Sequence, residues 1–466
     1  MGQPIKQVAF DFHSIRELYA SGKAVPADII RLAYDRIAED NRSGLWISLR
    51  PLEKTLEIAE ALPAKPTSDL PLYGLPFGVK DNIDAANLET TAACPAYAYM
   101  PERSAKVVEK LEAAGAICIG KTNLDQFATG LNGTRSPYGP CGAAFDPQMV
   151  SGGSSSGSGV AVALHQVAFS IGTDTGGSGR IPAGLNNVIG LKPTVGALST
   201  KGLVPCCRTL DCPSVFALSI EDAHEVAAAA FEIDRDDASL RSDLSNSPFS
   251  SIPTPPGDPR LLIVKPEQQE FFGNTEGHKL YNTALEKFSD QGAELIPIDF
   301  APFAEAGQMM FEGVWVAERY TAIGKFLETQ PNDILPTTRA IVENGRKWTA
   351  IDAFRQMYRA KEIQTYANSL FANADALIVP TVATLYSISE MQADPIVCNN
   401  HHGYYSYFAN ILDLSGLSCP AGFYKNGMPF GVTLLAPAYQ DAKLASIGRH
   451  FLHSASKQQT LGKPRL

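Results

Sequence analysis

The chain lacks any run of about 18 uncharged apolar residues, the length that crosses a bilayer. Its first twenty residues, MGQPIKQVAFDFHSIRELYA, are interrupted by charges where a signal peptide needs an apolar core. Positive charge is scarce: 39 Lys and Arg against 49 Asp and Glu leave a formal net charge of −10. There is no basic footprint for nucleic acid or an anionic membrane, so neither is expected as a partner. Cysteine is sparse too, eight in 466 residues and none in CxxC spacing. Without a secretory signal these read as reduced thiols, and the expected location is cytoplasmic. Cys206, Cys207 and Cys212 have no histidine nearby, so no metal site and no cofactor are expected. What remains is an ordinary globular composition, 45% apolar and long enough to bury a large core.

The first sixty residues read as helices. Ser14 is placed to cap IRELYASG, and Pro26-Ala27-Asp28 opens IIRLAYDRIAED with its apolar residues on one side. This predicts an N-terminal helical segment, 1–62, ahead of one α/β domain, 63–466. From Leu75 short apolar runs (LPFGV, AICI, VAFSI) alternate with helical patterns, the signature of an α/β fold. A second such stretch starts at LLIV from Leu261. A mostly helical region, 302–373, then leads to the strand candidates ALIV, GLSCPAG and PFGVTLLAP and a last helix from Asp441. The Ser- and Pro-rich segment from Ser242 to Pro259 reads as a surface linker between two halves of one sheet.

Two motif matches fail on context. Gly115 to Thr122 satisfies the P-loop expression GxxxxGK[ST], but a helical pattern precedes Gly115 and Ala-Ile-Cys-Ile between the glycines reads as a buried strand. Gly153 to Gly157 satisfies GxSxG, yet Asp146, Pro147 and Gln148 break the strand that a nucleophile elbow requires.

Two Gly/Ser loops survive, SGGSSSGSG at 151–159 and GTDTGGSGR at 172–180. Between them lie a helical segment, VAVALHQ, and an apolar strand, VAFSI. A helix that runs out about 10–15 Å and a strand that returns about 16 Å bring Ser154 and Ser178 to the same end. Gly176 and Gly177 precede Ser178, and side-chain-free residues let successive N–H groups face one concavity, as an oxyanion hole requires. A serine needs a base, and no histidine is placed to serve. Lys80 ends the strand-like PFGVK, where loss of solvation favours its neutral form.

These blocks resemble the amidase-signature hydrolases. GGSSSGSGVAVA and GTDTGGSGRIPAGLNNVIGLKPT match the family signature, GVKDNID its lysine block, and GKTNLDQFATG the block that follows. The resemblance implies a mixed twisted central sheet flanked by helices, and a triad of Ser178 as nucleophile, Ser154 as bridging cis-serine and Lys80 as base. It also implies an oxyanion hole at Thr175, Gly176 and Gly177, with Asp174 and Arg180 bracing the loop. Within the family, TNLDQFATGLNGTRSPYGPC, GLVPCCRTLDCPSVFALS and GVWVAERY resemble allophanate hydrolases. The implied substrate is a small anionic amide, with Arg319 holding its carboxylate and Asn132 reading the ureido group. Phe311 departs from the pattern by standing where relatives carry tyrosine. The last residue of the sequence is Leu466, and the C-terminal accessory domain common in allophanate hydrolases is expected to be absent. The resemblance implies a homodimer. Action on another short acid amide (malonamate or biuret-type), or service as the catalytic component of a tRNA-dependent amidotransferase, are the alternatives it leaves.

Overall fold

Strands made mostly of apolar and small residues are sequences built to be covered on both faces. Six of them, β2 (Pro76–Lys80), β3 (Ile117–Thr122), β4 (Phe169–Thr173), β5 (Ile189–Lys192), β6 (Pro213–Ala217) and β9 (Ala376–Pro380), are buried along their whole length. The computed structural model describes residues 6–453 and 461–464. The other strands are β1 (Trp46–Leu49), β7 (Arg260–Val264), β8 (Glu294–Ile298), β10 (Leu414–Phe423) and β11 (Pro429–Pro437). All eleven join one mixed sheet in the order β1-β3-β2-β4-β6-β5-β10-β11-β9-β7-β8.

Alternation along the strands feeds two core layers. In β7, Leu261 and Ile263 face one core while Leu262 and Val264 face the other, and in β9 Ala376 and Ile378 alternate in the same way with Leu377 and Val379. The long β10–β11 hairpin joins the halves, since β10 pairs with β5 and β11 with β9. The linker from Ser242 to Pro259 contains no helix or strand and leads into β7, so the sheet is continuous across it.

The N-terminal segment is not purely helical. Trp46–Leu49 is an edge strand paired antiparallel with β3, and Phe10, Phe12, Ile29 and Ile30 sit in the same core as β2 and β4. A four-residue strand between two helices is too short for its period to register in the sequence. The P-loop match resolves as its context predicts. The helix Lys106–Ala113 runs into Gly115 at φ +93°, and Ile117–Thr122 is a fully buried strand. No helix among the described residues is long and apolar enough to cross a membrane.

Candidate active site

β2 and β4 are parallel neighbours, with Phe77 opposite Phe169 and Val79 opposite Ile171. Both strands therefore end at the same edge, and the carboxyl ends of parallel strands are where α/β sheets carry their ligands. Lys80 closes β2 and Thr173 closes β4. The Lys80 Nζ lies 2.7 Å from Ser154 Oγ and 2.6 Å from Thr173 Oγ1. Ser154 follows a cis Gly153–Ser154 peptide bond just ahead of the helix Ser156–Ala163. The two Gly/Ser loops meet: Ser155 Oγ donates to the Thr173 carbonyl at 3.0 Å, and the Ser155 N–H donates to the Ser178 carbonyl at 3.4 Å. Ser155 is thus a structural neighbour within the GxSxG match.

Two lysines are wholly buried side by side, and their partners separate them. Lys121 of β3 is ion-paired with Asp81 at 3.1 Å, both without solvent exposure. Lys80 has no carboxylate within ion-pair distance among the described residues, only hydroxyls and a low-dielectric surround. Burial pushes its ammonium down to about 7. At neutral pH a large fraction of Lys80 is the free amine.

The Ser178 loop is tied down from several directions. Asp174 and Arg180 form a fully buried ion pair, with Arg180 Nε and Nη2 each 2.9 Å from the carboxylate. Burial alone would push the Asp174 carboxyl up, but Arg180 and nearby donors outweigh it and hold it at about 2. Ser406 Oγ donates to the Gly176 carbonyl at 2.8 Å, and Asn410 Nδ2 to the Asp174 carbonyl at 2.7 Å. Gly177 has φ +129°, and a Cβ there would run into Ser406, so only glycine fits.

The predicted oxyanion donors divide. The Gly177 N–H donates to Asp174 Oδ1 at 2.7 Å, which removes it from the set. The N–H groups of Thr175, Gly176 and Ser178 donate to no acceptor among the described residues. The Asp174 carboxylate captures the amides of Gly177, Gly179 and Arg180 and leaves those of Thr175, Gly176 and Ser178. Ser178 is 4% exposed, its hydroxyl unbonded among the described residues and not hydrogen-bonded to Ser154 Oγ.

Sequence reasoning passed over Asp211, although it lies within the quoted block GLVPCCRTLDC. Its buried carboxylate accepts from Thr175 Oγ1 at 2.6 Å and from the N–H groups of Cys206 (2.9 Å) and Cys207 (3.1 Å), and burial raises it to about 6. Through Thr175 it positions one of the free amides. Asp211→Asn leaves too few acceptors for those donors, so kcat is expected to fall roughly tenfold at pH 8 through misplacement of that amide. Steady-state assays alongside thermal melts check this, and unchanged kcat would remove Asp211 from the site.

Arg319 and Asn132 part company. The Asn132 side chain is engaged at both ends, Oδ1 accepting from Thr134 N and Oγ1 (2.9 and 2.8 Å) and Nδ2 donating to Asn399 Oδ1 (2.8 Å). It braces its own loop, so the predicted contact to substrate is not what this geometry offers. Arg319, on the helix Trp315–Thr329, is 4% exposed and has no carboxylate partner among the described residues. Its Nε and Nη1 are buried without an acceptor, and its guanidinium lies 4.4 Å from the Phe311 ring centroid. A buried guanidinium with unmatched donors is a receptor for an anion. Phe311 brings an aromatic face here and no hydroxyl.

A buried amine, two serines and three free amides gather at one strand edge, groups that can supply a base, a nucleophile and oxyanion donors without a histidine. A family model described as Amidase matches residues 28–445, and the chain belongs to the amidase family, enzymes that act on amide C–N bonds. It is 42% identical to urea amidolyase of Saccharomyces cerevisiae over 412 residues, which are 88% of this chain and 22% of that protein. It therefore spans less than a quarter of that relative's length. The structure of Kluyveromyces lactis allophanate hydrolase superposes with a TM-score of 0.89 at 40% identity, covering 96% of this chain and 74% of that one. A third relative is a component of the glutamyl-tRNA(Gln) amidotransferase of Thermus thermophilus, 31% identical over 457 residues, 93% of this chain and 94% of its own length.

Proposed function

We propose that the protein hydrolyses allophanate (urea-1-carboxylate) to N-carboxycarbamate and ammonia, as a step in nitrogen release from urea. The observation that carries the substrate class is Arg319: a buried guanidinium with two unmatched nitrogens fits the carboxylate of a small anionic amide. The names of the urea amidolyase and allophanate hydrolase relatives agree with that chemistry. From the resemblance we carry over a homodimer in the cytoplasm.

In this reading neutral Lys80 draws the proton of Ser154 as Ser154 takes that of Ser178, whose Oγ attacks the carbonyl of the terminal amide. The relay requires the unbonded Ser178 hydroxyl to turn toward Ser154. The amides of Thr175, Gly176 and Ser178 hold the developing oxyanion, each donor contributing about 2.7–4 kcal/mol to the transition state. As the tetrahedral adduct collapses, the C–N bond breaks and the relayed proton passes to the leaving nitrogen, so ammonia departs. Water then attacks the acyl-serine by the same relay, regenerating Ser178 and freeing the second carboxylate.

The test is ammonia release from allophanate, biuret, malonamate and a neutral amide. Turnover confined to allophanate supports the reading, and preference for another amide replaces the substrate while keeping the site. No turnover without added partner proteins favours a role within an amidotransferase complex. Arg319→Ala is expected to raise KM for allophanate about a hundredfold, the loss of a charge-assisted pair, and Arg319→Lys to recover only part of it because the planar fork is gone. Equal effects on anionic and neutral amides would sink the carboxylate role.

A further inference from the structure

Phe311 leaves the Arg319 end of the site without a hydroxyl from its own helix, and the structure supplies one from elsewhere in the chain. The Tyr407 ring packs against Phe311, centroids 4.3 Å apart, and the Arg319 guanidinium lies 4.4 Å from the same Phe311 centroid. It also abuts the nucleophile loop, because a Cβ built on Gly176 would sit 3.3 Å from Tyr407 Cδ1. Tyr407 therefore touches both the residue under the guanidinium and the loop that carries the free amides.

The hydroxyl is held in a defined orientation. It accepts from Asn399 Nδ2 at 2.9 Å and donates to the Asn399 carbonyl at 3.3 Å, the longer and weaker of the two. The Asn399 amide is itself fixed, since its Oδ1 takes the Leu131 N–H and Asn132 Nδ2, both at 2.8 Å. The phenol thus has its acceptor side occupied and its proton on a loose bond that a carboxylate can win. Tyr407 is 5% exposed and burial raises its phenol, so it stays a protonated donor at neutral pH. The charges of Arg135 and Arg319 act on it. Arg135 gives two nitrogens to the carbonyls of Thr129 and Pro395 and keeps only Nε without an acceptor, whereas Arg319 keeps two nitrogens free.

We propose that Tyr407 is a specificity-determining residue whose hydroxyl, swung off the Asn399 carbonyl, donates to the anionic end of the substrate beside Arg319. This rests on the reading of the substrate as a small anionic amide. Asn399 then acts as a positioning residue that keeps the phenol turned toward the site.

Tyr407→Phe keeps the ring contacts with Phe311 and Gly176 and removes only the hydroxyl. Three quantities are measured for it and for the unaltered protein: KM and kcat for allophanate, and the rate at which a neutral fluorophosphonate labels Ser178. The expected result is a KM raised at least tenfold, with kcat and the labelling rate each within threefold of the parent. A KM within twofold of the parent overturns the assignment. So does a parallel fall in kcat and labelling, which marks a residue that only packs the loop. If the unaltered protein is labelled but does not turn over allophanate, the substrate reading fails and this inference falls with it. Turnover with an unshifted Tyr407→Phe fails the inference alone.

Discussion

Ser178→Ala is expected to abolish ammonia release, with kcat falling on the order of 10⁴–10⁶-fold and the fold unchanged. The size follows from how the residue is held. Its loop is fixed by the buried Asp174–Arg180 pair and by Ser406 and Asn410, none of which uses the Ser178 hydroxyl. Deleting one oxygen that bonds to none of the described residues removes the covalent route and leaves the scaffold alone. A melting temperature equal to the parent's, together with loss of fluorophosphonate labelling, would complete the case. Residual turnover above one part in a thousand would move the nucleophile to another residue.

Lys80→Met is expected to reduce kcat nearly as far, and to make the protein more stable at pH 7. Lys80 is wholly buried and its ammonium is pushed down to about 7 from an ordinary 10.5. In the parent, kcat should therefore rise about tenfold per pH unit up to pH 7 and level off above it, as the base becomes neutral. The stability argument has a definite sign. Between pH 7 and 10.5 the unfolded chain binds the lysine proton and the folded chain does not, so folding stability rises with pH across that window. The burial penalty is full below pH 7 and gone above 10.5. Methionine carries no such penalty, so its gain in Tm should be largest near pH 7 and shrink toward pH 10. A Tm difference independent of pH, or a rate profile flat from pH 6 to 8, would remove the neutral-lysine base.

Much of this site was written in the sequence, because its chemistry sits at the ends of local elements. A strand ending in lysine and two Gly/Ser loops separated by a helix and a strand are short-range patterns, and the out-and-back geometry of the second holds in Ser155 and its contacts with Thr173 and Ser178. The continuous sheet and the late strands from Ala376 onward were legible for the same reason, as apolar runs bounded by turn residues. What escaped depends on contacts between distant positions. Asp211 reaches Thr175 across 36 residues, and Asn399 meets Asn132 across 267, which no local period records. Asn132 looked available because its neighbours in sequence do not reveal that Thr134 and Asn399 occupy it. Gly177 looks like one oxyanion donor among three in the sequence, which does not reveal that the Asp174 carboxylate takes its N–H.

The residues proposed to break the bond and those proposed to choose the substrate are carried by different pieces of chain. Lys80, Ser154 and Ser178 sit at the ends of β2 and β4 and on the loops beside them, whereas Arg319 stands on the helix Trp315–Thr329 and Tyr407 near residue 400. Side-chain contacts connect the two groups, so drift in the helices can retune what is cleaved while the cleaving machinery stays untouched. An ancestor with this sheet could have given rise to descendants of very different appetite by exchanging a handful of residues such as Phe311 and Tyr407. Directed evolution toward a new amide should begin there and leave the serine loops alone.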